Sequence, residues 1–183
     1  MTQMTAAMLV GSLRRDSINM SLARAIERYA PEGVTFNWIE MHEMPFYNGD
    51  LEPDRPAAVR SFFKQMQGVE AICMVTPEYN RSIPALLKNA IDWGSKPPAD
   101  NLWRDRVIAM TGTSPGGIGT AVGQQHLRQI LAIQGAHVMP GETYISFKTP
   151  DMITAEGEIA DENVREFITA FAARFAALTK RMR

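Results

Sequence analysis

Cysteine is nearly absent from this sequence: Cys73 is the only one among 183 residues. No intrachain disulfide can form, which favours a reducing compartment. Cys73 lies within an apolar run, residues 71–75, and we predict that it is a small buried hydrophobic side chain there.

Long apolar runs are also lacking. No stretch reaches the length of a membrane span, and residues 1–10 lack the basic and apolar segments of a signal peptide. The sequence therefore predicts a cytoplasmic protein with no membrane partner.

The sequence also has no large excess of either charge, because 19 Lys and Arg are balanced by 20 Asp and Glu, for a net charge of -1. Since phosphate-backbone affinity depends on clustered cations, no nucleic-acid partner is expected.

Several catalytic and nucleotide-binding patterns are missing as well. The histidines His42, His126 and His137 have no spacing typical of metal ligands or of a Ser-His-Asp triad, so we predict no metal site and no catalytic histidine. Neither the dinucleotide pattern GxGxxG nor the phosphate-loop pattern GxxxxGK occurs.

What the sequence does contain is a regular alternation of strand-like and helix-like segments. Hydrophobic residues make up 45% and charged residues 21%, near globular averages, and the length suits a single domain over residues 1–183. The predicted strands are residues 5–11, 34–38, 69–75, 107–111 and 138–145, the last interrupted by Pro140 and Gly141. Helical periodicity runs from Met20 onward and over residues 55–67, 83–93, 121–134 and 161–180.

This alternation predicts a doubly wound α/β fold with five parallel strands and helices on both faces. The strand at residues 69–75 shows no polar alternation, which indicates cover on both faces. In such folds, ligands bind beyond the carboxyl ends of the strands. The candidate loops therefore follow the first, third and fourth strands.

The first candidate loop, residues 11–21, reads GSLRRDSINMS and precedes a helix. It supplies hydroxyl, amide and guanidinium groups: Ser12, Arg14, Arg15, Ser17, Asn19 and Ser21. A helix N-terminus favours a bound phosphate, and this donor set favours that interpretation. The alternative is that Ser17 or Asn19 only caps the helix.

The other two loops suit a flat ring. Residues 75–93 read VTPEYNRSIPALLKNAIDW, in which Pro77 and Pro84 stiffen the backbone on either side of Tyr79. Residues 112–120 read GTSPGGIGT, and glycines permit close approach to a planar ligand. The alternative for residues 75–93 is an ordinary strand-to-helix turn, and the alternative for residues 112–120 is a flexible connector. Together, a phosphate site without a dinucleotide pattern and a planar-ring site indicate flavin mononucleotide (FMN).

The motifs themselves resemble a known family. GSLRRDSIN matches GSxRxxSxN, and the segment after the third strand matches PEYNxSxPxxLKNAIDW at every fixed position. QHLRQIL, residues 125–131, is similar to the family's fourth helix. The sequence thus resembles the NADPH-dependent FMN reductases, the flavodoxin-like group that includes chromate, quinone and azo-dye reductases.

The resemblance implies strand order 2-1-3-4-5 and an enzyme that passes hydride from NADPH or NADH to bound FMN. Electrons then go to a small acceptor, which is a quinone, an azo compound, chromate or free flavin. It also implies a homodimer or homotetramer. No catalytic side chain is required, because the cofactor performs the chemistry.

The resemblance also assigns residues to parts of the cofactor. It implies that the FMN phosphate is held by Ser12, Arg14, Ser17 and Asn19. It implies that the ribityl chain and ring are lined by Pro77, Glu78, Tyr79 and Asn80, and that the other ring wall is Ser114, Gly116 and Gly117.

Some alternatives stay open at this point. Arg81 is either a solvated loop residue or a contact for a substrate anion or a nicotinamide phosphate, and Arg15 is a second candidate for that phosphate. Trp93 packs either in the core or across a subunit contact. The rival function is an electron carrier that holds FMN but takes no hydride from NAD(P)H. The net charge of -1 argues against it, because such carriers usually present a strongly acidic surface.

Overall fold

A parallel sheet with helices on both faces organises the chain, which the computed structural model describes over residues 3–149 and 151–183. The strands are β1 (Met4–Val10), β2 (Val34–Trp38), β3 (Ala71–Val75), β4 (Val107–Ser114), β5 (His137–Val138) and β6 (Tyr144–Ser146). The helices are α1 (Ile18–Arg28), α2 (Ala57–Gln65), α3 (Ala85–Gly94), α4 (Ala121–Ile133) and α5 (Glu162–Arg181). None of the helices in these two ranges is long and apolar enough to cross a membrane.

The strand order along the sheet is β2-β1-β3-β4-β5, with every neighbouring pair parallel. This confirms the predicted flavodoxin-like order. The fifth position is filled by two short strands rather than one, because β5 pairs with the start of β4 and β6 pairs with its end. Pro140, which has no N–H to donate, and Gly141, at φ +85°, separate them.

Two hydrophobic cores lie on opposite faces of the sheet. Side chains of β1 alternate between them: Met8 packs with α1 and α5, and Leu9 packs with α2, α3 and α4. The whole of β3 is buried, as its unbroken apolar sequence predicted. Trp93 is fully buried and its indole N–H donates to Pro45 O at 2.8 Å. Of the two alternatives for Trp93, the structure therefore supports the core.

The ends of two elements differ from the predictions. β4 continues to Ser114, three residues past the predicted end at Thr111, so the glycine loop is confined to residues 115–120. The extension is possible because Gly112 has no side chain, since a Cβ there would lie 2.0 Å from Thr76 O. α1 begins at Ile18, before the predicted start at Met20, because Ser17 caps it by accepting the Met20 N–H at 3.2 Å.

Residues 155–158, which lie between β6 and α5, are fastened to α1. Arg24 donates to Ala155 O at 2.5 Å, and Arg28 pairs with Glu158 at 2.8 Å. Gly157 makes this approach possible. It has φ +82°, and a Cβ built on it would lie 2.5 Å from the backbone nitrogen of Ala25. Packing of this segment therefore requires glycine at residue 157.

Replacing Gly157 with alanine should destabilise the protein more than the same change at Gly68. Both residues have positive φ, but a Cβ at Gly68 meets nothing within 4 Å. Gly68→Ala should therefore cost about 1–2 kcal/mol for the left-handed backbone alone. Gly157→Ala should cost about 1–3 kcal/mol more, because it also forces the segment away from α1. Urea unfolding measures both changes, and equal losses would show that the contact with α1 is unimportant.

Cys73 should resist thiol reagents in the folded protein. It is buried, and burial raises the pKa of its thiol to about 12. At about pH 8 the native thiol should react slowly, whereas the unfolded chain, with a thiol pKa of about 8.5, should react fully. The same shift should lower stability as pH rises above about 8.5, because only the unfolded thiol then ionises. A chromogenic disulfide reagent added with and without denaturant tests this, and rapid native labelling would contradict it.

Candidate functional site

The three candidate loops meet at a cavity of about 100 Å³ at the carboxyl ends of β1, β3 and β4. It is lined by Ser12, Arg14, Ser17, Ile18, Asn19, Pro77, Glu78, Tyr79, Thr113, Ser114 and Pro115. Eight of these are site residues that the sequence predicted: Ser12, Arg14, Ser17, Asn19, Pro77, Glu78, Tyr79 and Ser114. Ile18, Thr113 and Pro115 were not predicted, because nothing in their chemistry marks them as ligand contacts.

One end of the cavity is the N-terminus of α1. The buried hydroxyl of Ser17 caps the helix by accepting the Met20 N–H, so its own O–H remains able to donate to a ligand. Ser12 is buried beside it, and the exposed Arg14 brings a cationic guanidinium to the same cavity. Hydroxyl donors, a cation and the positive end of a helix dipole suit a phosphate dianion.

Asn19 reaches the same cavity, but its amide is bonded within the protein. Its Nδ2 donates to Thr113 O and its Oδ1 accepts from Thr113 N, each at 3.0 Å. The predicted phosphate contact of Asn19 would have to use the remaining N–H.

Glu78 uses its carboxylate to hold the second loop against α4. The Gly123 N–H donates to its Oε2 at 2.8 Å, and Arg81 pairs with its Oε1 at 3.2 Å. Thr120, the N-cap residue of α4, makes no side-chain cap bond, so Glu78 satisfies this helix end from another loop. The Glu78 side chain is only 7% exposed, whereas that of Arg81 is 63% exposed. Arg81 is thus a largely solvated residue with one ion pair.

A tight turn presents Tyr79 at the edge of the cavity. Tyr79 and Ser82 exchange two backbone hydrogen bonds of 3.0 Å, while Asn80 and Arg81 lie at φ +51° and +64°. Positive φ at both central residues matches a type I′ turn, and Asn tolerates this conformation better than most residues. Tyr79 is 46% exposed. Asn80 lies at the exposed tip, outside the cavity lining, where the structure supports a conformational role.

Serine hydroxyls close the glycine loop. Ser114 Oγ donates to Gly119 O at 2.8 Å and accepts the Gly116 N–H at 3.3 Å, and Ser146 Oγ donates to Gly116 O at 3.2 Å. Gly116 and Gly117 are exposed and are not among the residues that line the cavity. A Cβ built at Gly117 meets no atom within 4 Å. Open space over a fixed backbone is what a flat ring requires.

The donor set therefore fits a mononucleotide. The α1 end offers hydroxyls and a cation to a phosphate, and the second and third loops offer an aromatic side chain and open glycine backbone to a ring. A cavity volume of about 100 Å³ suits only part of such a ligand, so its ring would lie toward the exposed Tyr79 and Gly117.

Part of the second motif anchors a neighbouring loop instead. Asn89 accepts the Tyr47 N–H at 2.8 Å and donates to Pro45 O at 2.9 Å. Trp93, one helical turn later, donates to the same Pro45 oxygen. The NAIDW segment thus fixes the loop that follows β2. The composition of the segment alone did not reveal this role.

Comparisons with known proteins identify the family and the fold. The family model described as NADPH-dependent FMN reductase matches residues 4–150. The chain is 40% identical to a 2-hydroxy-1,4-benzoquinone reductase of Burkholderia sp over 93% of both chains. It is 35% identical to a quinone reductase of Pseudomonas putida, over 96% of this chain and 95% of the relative.

Among solved structures, FerB, a flavoenzyme NAD(P)H:(acceptor) oxidoreductase from Paracoccus denitrificans, superposes with a TM-score of 0.92. The two chains are 35% identical, and the match covers 97% of this chain and 98% of FerB.

Removing the Glu78 carboxylate should cost stability through α4 rather than through Arg81. Glu78→Ala leaves the Gly123 N–H without its acceptor and should cost about 1–3 kcal/mol. Glu78→Gln keeps an acceptor oxygen and should cost less. Arg81→Ala removes only a solvated ion pair and should cost about 0–1 kcal/mol. Urea unfolding of the three variants tests the ranking. A loss for Arg81→Ala as large as that for Glu78→Ala would contradict it.

Proposed function

This chain belongs to the NADPH-dependent FMN reductase family, and we propose that it binds FMN in the cavity described above and reduces a small quinone with NADPH or NADH. The observation that carries the proposal is that one cavity brings together a helix N-terminus suited to a phosphate and two loops suited to a flat ring. When bound, FMN supplies the hydride acceptor and the electron store. The protein positions it.

Each group of residues has a distinct task in this proposal. Ser12, Arg14 and Ser17 hold the phosphate at the start of α1. The backbone beside Pro77 and the loop 115–117 hold the ring. Tyr79 is a wall of the pocket rather than an acid or base, because hydride transfer to the ring needs no protein proton donor. Glu78 and Asn80 act by fixing the loop that carries Tyr79.

A quinone is the acceptor class that the exposed side chains favour. Each candidate loop exposes one large apolar residue: Leu13 at 68%, Tyr79 at 46% and Ile118 at 48%. Apolar groups around a flavin site suit a flat, weakly polar acceptor, and the same residues suit a second subunit that completes the pocket. Because a second subunit could cover these exposed apolar residues, the proposal includes a homodimer or homotetramer of single-domain chains. Azo compounds, chromate and free flavin are further acceptors to be tested.

Anaerobic reduction tests the function. Protein loaded with FMN should lose its absorbance at about 450 nm on addition of NADPH and regain it on addition of a quinone, because the ring must accept and release electrons. Protein that stays colourless after incubation with FMN would refute the proposal. Protein that binds FMN but is not bleached by NADPH or NADH would instead be an electron carrier.

Two adjacent arginines provide a matched test of the phosphate end. Arg14 lines the proposed FMN cavity, whereas Arg15 lines a neighbouring cavity of about 300 Å³, which is also lined by Arg24 and shares Ser17 and Ile18 with the first. Arg14→Gln should weaken FMN binding about tenfold or more through loss of a charge-assisted hydrogen bond. Arg15→Gln should change it by less than about threefold, as a long-range charge effect. Fluorescence titration of FMN measures both, and equal losses would argue against this placement of the phosphate.

A further inference from the structure

Asn19 joins the two ends of the candidate site. It is the second residue of α1, it is only 3% exposed, and both of its hydrogen bonds go to the backbone of one residue, Thr113 of β4. A side chain that contacted only a phosphate would not need this partner.

The reason for the pairing lies in the sheet. β3 ends at Val75. The last hydrogen bond between β4 and the segment that contains β3 is donated by Thr76 N to Thr111 O. β4 continues to Ser114 and pairs with β6 on its other side, through Phe147 N to Ser114 O. In a parallel strand, alternate residues bond to opposite sides, so Thr113 faces the side that β3 has left. The Asn19 amide takes the place of the missing strand, because it donates one N–H to Thr113 O and accepts the Thr113 N–H.

Asn19 and Thr113 both line the proposed FMN cavity, and each is close in sequence to another residue of the site. Asn19 is two residues from Ser17, at the phosphate end, and Thr113 is adjacent to Ser114, which holds the glycine loop. The pair of hydrogen bonds therefore sets the position of the start of α1 relative to the ring-side loop.

We propose that Asn19 is a positioning residue that fixes the distance between the phosphate end and the ring end of the pocket. This inference rests on the proposed function. It differs from the phosphate contact that the family resemblance implies for this asparagine. Loss of the amide would leave the Thr113 N–H and C=O unpaired in a buried position and would remove the hydrogen-bonded link between the start of α1 and the end of β4.

FMN and riboflavin, which lacks the phosphate, separate the two roles. A positioning residue affects both ligands, whereas a phosphate contact affects FMN alone. Asn19→Ala should therefore weaken FMN and riboflavin by a similar factor of about tenfold, while Arg14→Gln, at an exposed side chain that lines the same cavity, should weaken FMN and spare riboflavin. Fluorescence titration of the purified chain with each ligand measures all four values. A loss for Asn19→Ala that is confined to FMN would overturn the proposal.

A second variant covers the case in which Asn19→Ala does not fold. In Asn19→Asp, a protonated carboxyl offers the same donor and acceptor as the amide, but the carboxylate has no donor for Thr113 O. Riboflavin carries no phosphate charge to repel the carboxylate. At about pH 8, where a carboxyl is ionised, riboflavin should bind Asn19→Asp about tenfold more weakly than it binds the wild type, because Thr113 O has lost its donor. An unchanged affinity for riboflavin would overturn the positioning role. Failure of the wild type to bind either flavin would instead refute the proposed function.

Discussion

The geometry of the site depends on how backbone polar groups are satisfied where the parallel strands stop pairing. Once β3 ends, the edge of β4 that it no longer covers and the start of α4 each have hydrogen-bonding groups that no neighbouring strand can reach. Buried groups of this kind are costly unless they find a partner. Asn19 pairs with Thr113, and Glu78 pairs with Gly123. Each of these bonds also holds a candidate loop in position.

This arrangement explains why many polar side chains of the motifs are buried and bonded internally. Ser114 closes the glycine loop, Asn89 anchors the loop after β2, and Ser17 caps α1. Such side chains stiffen the pocket, which suits a reaction whose chemistry resides in the cofactor. The exposed groups at the cavity are Arg14 and apolar side chains such as Tyr79. A preformed pocket with an apolar rim can hold a flavin and still admit a second flat molecule.

Sequence reasoning was most accurate where the signal was local. Periodicity correctly predicted the helices, and the unbroken apolar run of β3 correctly predicted its burial on both faces. Sequence reasoning was less accurate at the ends of strands, because those ends depend on partners that are distant in the sequence. β4 extends past Thr111 because β6 pairs with it, and the predicted fifth strand divides because Pro140 and Gly141 separate two short pairings with β4. Neither pairing can be read from a window of a few residues.

By itself, the sequence determined the doubly wound fold, the family and the three loops that form the candidate site, because periodicity, proline placement and the two motifs are properties of contiguous residues. Only the tertiary structure decided what the polar residues in those loops do. Asn19 and Thr113 are 94 positions apart, and Glu78 and Gly123 are 45 apart. Whether a buried amide or carboxylate is available to a ligand depends on its partners, and the fold alone brings those partners together.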